Sequence, residues 1–229
     1  MKKIFISLMC AAVILSGCSS MSNTGKGAAI GAGGGAALGA ALGAIIGHDG
    51  KGAAIGAAIG SAVGAGTGVI IGKKMDKKAE EMQAALENAK VETVTDNNGL
   101  EAIKVTFDSG LLFKTGKYDL SKASKEELTK FAAEMKDLPD TDIAVFGHTD
   151  NTGSEEVNVR LSGQRANAVG DYLKSSGIDA KRIITEGKSF NEPIASNETA
   201  EGRAQNRRVE VFVYANEDMI KAAEAEAGN

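Results

Sequence analysis

A carboxylate and a guanidinium occupy positions from which a folded chain could present them to one ligand. Asp150 follows the predicted strand Asp142–Gly147 in a loop that leads into a helix, a usual location for binding groups. On that helix Asn158, Leu161 and Arg165 are spaced i, i+3 and i+7 and share one face. Arginine holds a carboxylate through two hydrogen bonds, and aspartate accepts from an ammonium group. The two charges therefore either bind a zwitterionic ligand or form an internal salt bridge that fixes the loop.

Other kinds of chemistry are disfavoured by the residue types present. The chain after residue 90 contains a single histidine, His148, and no cysteine. A lone histidine beside Asp150 does not supply the ligand set of a usual metal site, and no Ser/His/Asp arrangement is visible. With 30 acidic and 26 basic residues, 4% aromatic residues and no tryptophan, the chain lacks a footprint for nucleic-acid binding. We expect no enzyme activity, no cofactor and no metal.

Five segments with strand patterns must position these residues. Glu101–Phe107 alternates apolar and polar residues, and Asn97-Asn98-Gly99 is a hairpin-type turn that pairs it with the segment before it. The predicted strands are Val91–Thr95, Glu101–Phe107, Asp142–Gly147, Arg182–Gly187 and Arg208–Tyr214. Together with two intervening helices they predict an α/β fold over residues 91–215, a βαβαββ sandwich in which a mixed sheet carries helices on one face.

Both predicted helices have recognisable ends. The first begins at a capping box formed by Ser124 and Glu127 and is closed by Pro139. Its apolar residues share one face, as expected for a helix that packs on a sheet: Leu128, Phe131, Met135 and Leu138. The second extends from about Glu155 to Ser176 and is ended by Gly177. Residues 216–229 are predicted to be a polar helical tail.

The first 17 residues have the pattern of a secretory signal. Lys2 and Lys3 precede the apolar stretch Ile4–Leu15, which is shorter than the roughly 20 residues of a spanning helix. The sequence Leu-Ser-Gly-Cys ending at Cys18 is typical of a bacterial lipobox, in which the cysteine is lipidated after cleavage. The alternative is a chance cysteine near an ordinary cleavage site. In the lipoprotein interpretation residues 18–26 are a lipidated tether, and the mature chain has no free thiol.

Residues 27–72 contain two runs in which glycine recurs every fourth residue. The sequence lacks the Gly-Lys-Ser/Thr order of a phosphate-binding loop. Ala28–Gly47 and Ala53–Gly72 are uncharged and about 30 Å long as helices, which matches a hydrocarbon core. Glycines at this spacing let two helices approach closely in a membrane. We predict a helical hairpin, with a soluble or disordered segment as the alternative, and a charged helical linker at residues 73–90.

The C-terminal half resembles a known family. Gly147-His148-Thr149-Asp150-Asn151-Thr152-Gly153, then Asn158, Leu161-Ser162 and Arg165-Ala166, is similar to the OmpA-like peptidoglycan-binding domain. Asn206-Arg207-Arg208 fits the C-terminal end of that domain, and the whole layout resembles outer-membrane lipoproteins of the YiaD type. The resemblance implies that diaminopimelate of peptidoglycan stems is bound by Asp150 and Arg165. Further candidates for ligand binding are Thr149, Asn158, Leu161, Phe113 and Arg207. Lys114 stands where the family commonly has aspartate.

The resemblance implies a non-catalytic protein that tethers the outer membrane to peptidoglycan. The lipid on Cys18 and the hairpin would hold the membrane, with the C-terminal domain in the periplasm. The glycine-rich helices also offer a surface for a homo-oligomer. An ion-driven stator is disfavoured because neither glycine run contains an acidic residue. The remaining alternative is an envelope assembly factor whose domain binds proteins.

Overall fold

A computed structural model of the protein describes residues 65–96, 99–114 and 116–228. The predicted signal, the lipidation site Cys18, the tether and residues 27–64 of the glycine-rich segment lie outside the described residues. The strands are β1 (Ala89–Thr95), β2 (Glu101–Asp108), β3 (Thr141–His148), β4 (Ile183–Ser189) and β5 (Arg208–Ala215). The α-helices are α1 (Ala65–Ala85), α2 (Ser109–Leu112), α3 (Lys122–Glu134), α4 (Glu155–Ser175), α5 (Ala200–Asn206) and α6 (Glu217–Ala227).

The strands form one mixed sheet in the order β1-β2-β5-β3-β4. Only β3 and β4 are parallel, and α4 connects them as a crossover helix. In the centre of the sheet, Val211 lies opposite Val105 on one side and Val145 on the other. Every residue of β5 is buried, as expected for a central strand. The predicted α/β fold with a mixed sheet is confirmed, and each predicted strand is found within about two residues of its expected ends.

The main core lies between one face of the sheet and the helices. Alternate strand residues such as Val105, Phe107 and Val211 point to this face because side chains alternate along a strand. The predicted apolar face of the first helix is buried here, and the rings of Phe107 and Phe131 meet edge to face with centroids 6.4 Å apart. From α4 the core receives Ala166, Val169 and Leu173. This packing fixes which face of α4 turns towards the sheet.

The start of α3 differs from the prediction. The residue that caps the helix is Ser121, whose side chain accepts from the backbone N–H of Ser124. The hydroxyl of Ser124 instead donates to the carbonyl of Leu112, and the carboxylate of Glu127 accepts from the N–H of Asn88. The capping box predicted at Ser124 and Glu127 is therefore wrong. Both side chains bond to residues outside the helix. The helix begins one turn before the predicted start.

The predicted linker and the tail belong to the packed body. Helix α1 extends through residue 72 without a break, and its Ile71, Met75 and Met82 are completely buried in the main core. It also contacts α6, which buries Met219, Ile220 and Ala223. Residues 65–72, predicted to end the membrane hairpin, are thus part of this helix. Among the described residues, no helix is both long and apolar enough to cross a membrane.

A buried lysine holds α1 against the rest of the domain. Lys78 is 5% exposed, and its Nζ lies 2.9 Å from Glu81, 3.0 Å from Glu134 and 3.4 Å from Asp137. Burial alone would lower the pKa of Lys78, but the hydrogen bonds that it donates to these carboxylates raise it well above its ordinary value. The lysine therefore stays charged and ties α1 to the end of α3.

Candidate functional site

Two glycines bring the middle of α4 close to the ends of β3 and β4. A Cβ atom on Gly147 would overlap the carbonyl of Ser162, and one on Gly187 would overlap the backbone of Gly163. The absent side chains let the helix backbone approach the strands directly. The loop from Thr149 to Ser154 joins the end of β3 to α4, and Asn158 of α4 donates to its Thr152 carbonyl.

Asp150 is held in this loop by two donors. Its Oδ2 accepts a 2.6 Å hydrogen bond from Nη1 of Arg207, and its Oδ1 accepts from the N–H of Thr152 at 2.9 Å. Burial alone would raise the pKa of the Asp150 carboxyl, but the hydrogen bonds from Arg207 and Thr152 outweigh it and hold the pKa below its ordinary value. The carboxylate is ionised and in place before any ligand arrives.

Asp150 therefore forms its salt bridge with Arg207 and not with Arg165. The Arg207 side chain is 40% exposed, so the pair lies at the surface of the site. Arg207 directly follows α5 and is its C-cap residue. This helix was not predicted from the sequence. One of the two alternatives from the sequence was an internal salt bridge between Asp150 and Arg165. This salt bridge is not formed.

Arg165 is buried and incompletely paired. It is 3% exposed, its Nε donates to the carbonyl of Lys117 at 3.1 Å, and its guanidinium lies 5.2 Å from the ring centre of Phe113. Its Nη1 is buried and has no hydrogen-bond partner. Burial lowers the pKa of Arg165, the nearby charge of Arg207 lowers it further, and Asp150 opposes both effects. A buried donor on a charged group costs free energy when it is unpaired.

Some of the other predicted residues hold the loop of Asp150 in place, and others lie next to Arg165 or Asp150. Asn158 is buried, and its Nδ2 donates to the carbonyl of Thr152 at 3.0 Å, so it holds the loop that carries Asp150. Thr149 is buried, and its backbone N–H donates a hydrogen bond to the carbonyl of Ser189. The Oγ1 of Thr149 has no hydrogen-bond partner. Leu161 is half-buried on the same face of α4 as Arg165. Lys114, which departs from the family pattern, is exposed.

Two serines near the site were missed by the sequence reasoning. Ser109 donates its N–H to the carbonyl of Arg207, and Ser189 accepts from the N–H of Thr149. The side-chain oxygens of both serines are buried and lack a hydrogen-bond partner. Ser189 also has a positive φ of 54°, which is uncommon for a residue with a side chain. No local motif marks either serine; only the fold brings them next to the site.

Asn206 holds the loop that precedes Arg207. Its Oδ1 accepts from the N–H groups of Ile194 and Ala195 at 2.8 and 2.9 Å. Its Nδ2 donates to the carbonyl of Ala195 and to Oδ1 of Asn197. All the polar atoms of this buried amide are thus paired within one loop. Asn206 fixes the backbone from which Arg207 reaches Asp150.

Glu210 is the centre of a buried cluster of charged and polar side chains that also contains Lys104, Arg208 and His148. Glu210 is 4% exposed and contacts Lys104 at 2.8 Å, Arg208 at 2.7 Å and Nε2 of His148 at 3.6 Å. Burial alone would raise the pKa of Glu210, but these partners lower it strongly. Burial also lowers the pKa of His148, which is completely inaccessible. His148 is therefore a buried residue at the end of β3 that solvent does not reach.

No metal centre accompanies these residues. Within residues 65–96, 99–114 and 116–228, no group of three His, Cys, Asp or Glu side chains is placed to hold a metal ion. The described residues instead place the ion pair of Asp150 and Arg207 at the surface of the site. Beside it lies the buried guanidinium of Arg165, whose Nη1 has no hydrogen-bond partner. Such an arrangement can bind a group that carries both an ammonium and a carboxylate.

Two family models match the chain. Residues 112–207 match the OmpA family, which covers the site from Phe113 to Arg207, and residues 1–76 match the YMGG-like Gly-zipper. The second match includes the glycine-rich segment that precedes the described residues and the first part of α1.

Curated relatives are similar to this chain over about half of its length. Probable lipoprotein YiaD of Escherichia coli (strain K12) is 48% identical over 107 residues, which are 47% of this chain and 46% of that protein. Peptidoglycan-binding protein ArfA of Mycobacterium tuberculosis (strain ATCC 25618 / H37Rv) is 44% identical over 112 residues, 49% of this chain and 34% of that protein. The chain therefore spans half or less of the length of these relatives.

A solved structure shares the fold. The cell wall anchor of the T6SS from Pseudomonas aeruginosa is 30% identical, with a TM-score of 0.52. The similarity covers 62% of this chain and 97% of that one.

Proposed function

Because residues 112–207 form a domain of the OmpA family, we propose that this protein is a non-catalytic envelope lipoprotein that binds peptidoglycan through this domain. The ligand is the free amino-acid end of diaminopimelate in the peptide stems. This end carries an ammonium and a carboxylate on one carbon. The similarity to a lipoprotein and to a peptidoglycan-binding protein supports the proposal.

The observation that carries the proposal is the unpaired Nη1 of Arg165. A buried guanidinium retains a free donor only if something compensates for the lost hydration, and a ligand carboxylate would do so with a charge-assisted bond. Asp150 then accepts from the ligand ammonium. A carboxylate has about four acceptor positions, so Arg207 and Thr152 leave room for this further donor.

The surrounding residues shape the site. Phe113 stacks on Arg165 and shields it from water, which strengthens its interaction with an incoming anion. The unpaired hydroxyl of Thr149 offers one more polar contact, and Leu161 offers an apolar surface for the ligand's hydrocarbon chain. Asn158 acts through the loop and not on the ligand. Lys114 adds positive charge near a site that receives a carboxylate.

The same residues support the proposal that the domain is not catalytic. A hydrolase needs a nucleophile and a base within reach of the ligand. The histidine closest in sequence to Asp150 is His148, which is buried and whose pKa is lowered, so it cannot reach a ligand as a base. A domain that binds without cleaving its ligand suits a tether.

The other end of the tether is the membrane. We place the lipid anchor at Cys18 and assign residues 27–64 to membrane association, in an outer-membrane lipoprotein whose C-terminal domain lies in the periplasm. Association of the glycine-rich helices between copies would give a homo-oligomer. The match of residues 1–76 to the YMGG-like Gly-zipper supports the assignment of this segment.

Co-sedimentation of the full chain with purified sacculi tests the binding proposal. We expect the Asp150→Ala/Arg165→Ala variant to lose at least about tenfold in affinity, as expected for the loss of charge-assisted bonds. Asp140→Ala and Arg160→Ala are matched controls because both residues are exposed and have the same charges as Asp150 and Arg165. Free diaminopimelate should displace the wild-type protein. Equal sedimentation of wild type and double variant would show that the domain binds something else, such as a protein partner.

A further inference from the structure

Helix α1 meets the sheet at the end opposite the proposed site. A Cβ atom on Gly72 of α1 would lie 2.9 Å from Oε2 of Glu101, the first residue of β2, so the helix backbone packs closely on this end of the strand. The residue after β2 is Ser109, whose N–H donates to the carbonyl of Arg207 at 3.0 Å. Strand β2 therefore joins the first turns of α1 at one end to Arg207 of the site at the other.

The separation of these two ends follows from strand geometry. Strand β2 has 8 residues, which span about 24 Å. The axis of α1 follows the same direction, because Asp76 accepts from Oγ1 of Thr93 and, further along the helix, Gln83 accepts from the N–H of Val91. Since β1 runs antiparallel to β2, the helix advances along β2 towards the site.

The packed part of the chain begins directly after residues 27–64. The described part of α1 starts at Ala65, and its side chains enter the domain within two turns, since Thr67 is 3% exposed and Ile71 is completely buried. A Cβ atom on Gly66 would lie 3.1 Å from that of Ala227, so the end of α6 lies beside the start of α1. The segment assigned to the membrane thus leads into the domain at the end that lies farthest from the site.

Contacts spread along α1 fix its direction relative to the sheet. Met75 and Met82 are completely buried and lie about 10 Å apart along the helix axis. Between them, Lys78 contacts the carboxylates of Glu134 and Asp137 at 3.0 and 3.4 Å. The helix cannot pivot on the sheet without exposing these apolar side chains and breaking the ion pairs. It therefore moves with the domain as one body.

We infer that the domain is a rigid spacer, which holds its ligand site about 35 Å from the point where the chain leaves the segment assigned to the membrane. The inference rests on the proposed membrane association of residues 27–64. The 21 residues of α1 would span up to about 70 Å as an extended linker and would let the site reach ligand at many distances. Packed as a helix, they restrict binding to ligand at one distance from the membrane.

Energy transfer from tryptophan to dansyl-labelled lipid headgroups tests the inference, because the chain contains no tryptophan of its own. The full chain is reconstituted into vesicles of phosphatidylethanolamine and phosphatidylglycerol with one introduced tryptophan. Glu155→Trp lies in the first turn of α4, after the loop of Asp150, and Glu224→Trp lies near the end of α6, beside the start of α1; both positions are exposed. We expect strong transfer from Glu224→Trp and weak transfer from Glu155→Trp, which lies about 25 Å farther from the membrane.

A flexible insertion is the matched control. A Gly/Ser linker of about 12 residues between residues 64 and 65 leaves α1 and the site intact and adds a segment of about 20 Å root-mean-square length. Transfer from both positions should then be weak and similar. A difference that persists unchanged in the insertion variant would show that the packing of α1 does not set the distance.

Two further readouts separate the spacer from the proposed function. Flotation of the vesicles reports membrane association, and co-sedimentation with sacculi reports ligand binding by the same variants. A chain that floats and binds sacculi but shows equal transfer from both positions would overturn the spacer alone. A chain that does not float would disprove the membrane assignment and the spacer together, while sacculus binding would still decide the ligand site.

Discussion

The carboxylate of Asp150 accepts a 2.6 Å hydrogen bond from the guanidinium of Arg207, a residue 57 positions later in the chain. This pair joins the loop after β3 to the end of α5. It fixes the anionic half of the proposed site, while Arg165 supplies the cationic half from α4. The site thus depends on contacts among three elements that are distant in sequence.

The ionisation of Asp150 should make stability depend on pH. Its pKa is lowered in the folded protein, so its contribution is complete above the unfolded-state value of about 3.9 and is lost as the pH falls through the lower folded-state value. The stability difference between wild type and Asp150→Asn should therefore be constant near neutral pH and shrink below about pH 4. Urea unfolding at several pH values measures it. A stability difference that is independent of pH would contradict the assigned ion pair.

Arg165 should matter more for binding than for stability. Replacing it with methionine removes a buried charge whose Nη1 is unpaired, and loses the hydrogen bond to Lys117 and the contact of the guanidinium with the ring of Phe113. We expect Arg165→Met to change the free energy of unfolding by no more than about 1 kcal/mol. Binding to sacculi should nevertheless be lost. Chemical denaturation and co-sedimentation on the same samples check both expectations.

Arg182 provides the matched comparison. Its Nε donates to the carbonyl of Thr141 and its Nη2 to the carbonyl of Leu138 and the hydroxyl of Thr141, all within 3.0 Å. Arg182→Met breaks these bonds and should cost about 2–4 kcal/mol without a specific effect on binding. If Arg165→Met is as destabilising as Arg182→Met, the guanidinium of Arg165 has a structural role that the unpaired Nη1 does not indicate.

Gly147 should not tolerate a side chain. The Cβ of alanine would overlap the carbonyl of Ser162 and push α4 away from β3, so Gly147→Ala should destabilise the protein by about 2 kcal/mol or more and weaken sacculus binding. Gly163 is the control because a Cβ there meets nothing within 4 Å and the residue lies within α4. Gly163→Ala should stabilise the protein by up to about 1 kcal/mol. Thermal unfolding of both variants provides the measurement, and similar losses at the two positions would disprove the close approach.

The boundary of the glycine-rich segment can be tested by two deletions. A chain without residues 27–64 should keep its fold and bind sacculi, because α1 and the site remain intact. A chain without residues 27–72 also loses Ile71, which is completely buried, and the first two turns of α1. Removal of one such side chain costs about 2–5 kcal/mol. Unfolding curves should therefore separate the two deletions, and equal stability would mean that residues 65–72 do not pack on the domain.

The sequence by itself determined the five strands, the two central helices and the charged residues proposed to bind the ligand. Period-two and helical patterns of apolar residues identified the five strands and the two central helices, because these patterns reflect which side of each element is buried. Asp150, Arg165 and Asn158 could be selected from local spacing and from the family resemblance. The ligand assignment and the membrane anchor remain predictions from the sequence.

Only the tertiary structure decided which groups pair. The charged stretch after residue 72 was predicted to be a linker, yet Lys78 is buried among the carboxylates of Glu81 in α1, Glu134 at the end of α3 and Asp137 just after α3. Ser124 and Glu127 follow a capping pattern, but partners elsewhere in the fold take their side chains. Asp150 pairs with Arg207, and Arg165 is left with an unpaired donor. Local patterns report burial, whereas pairing depends on strand register and helix packing that bring distant residues together.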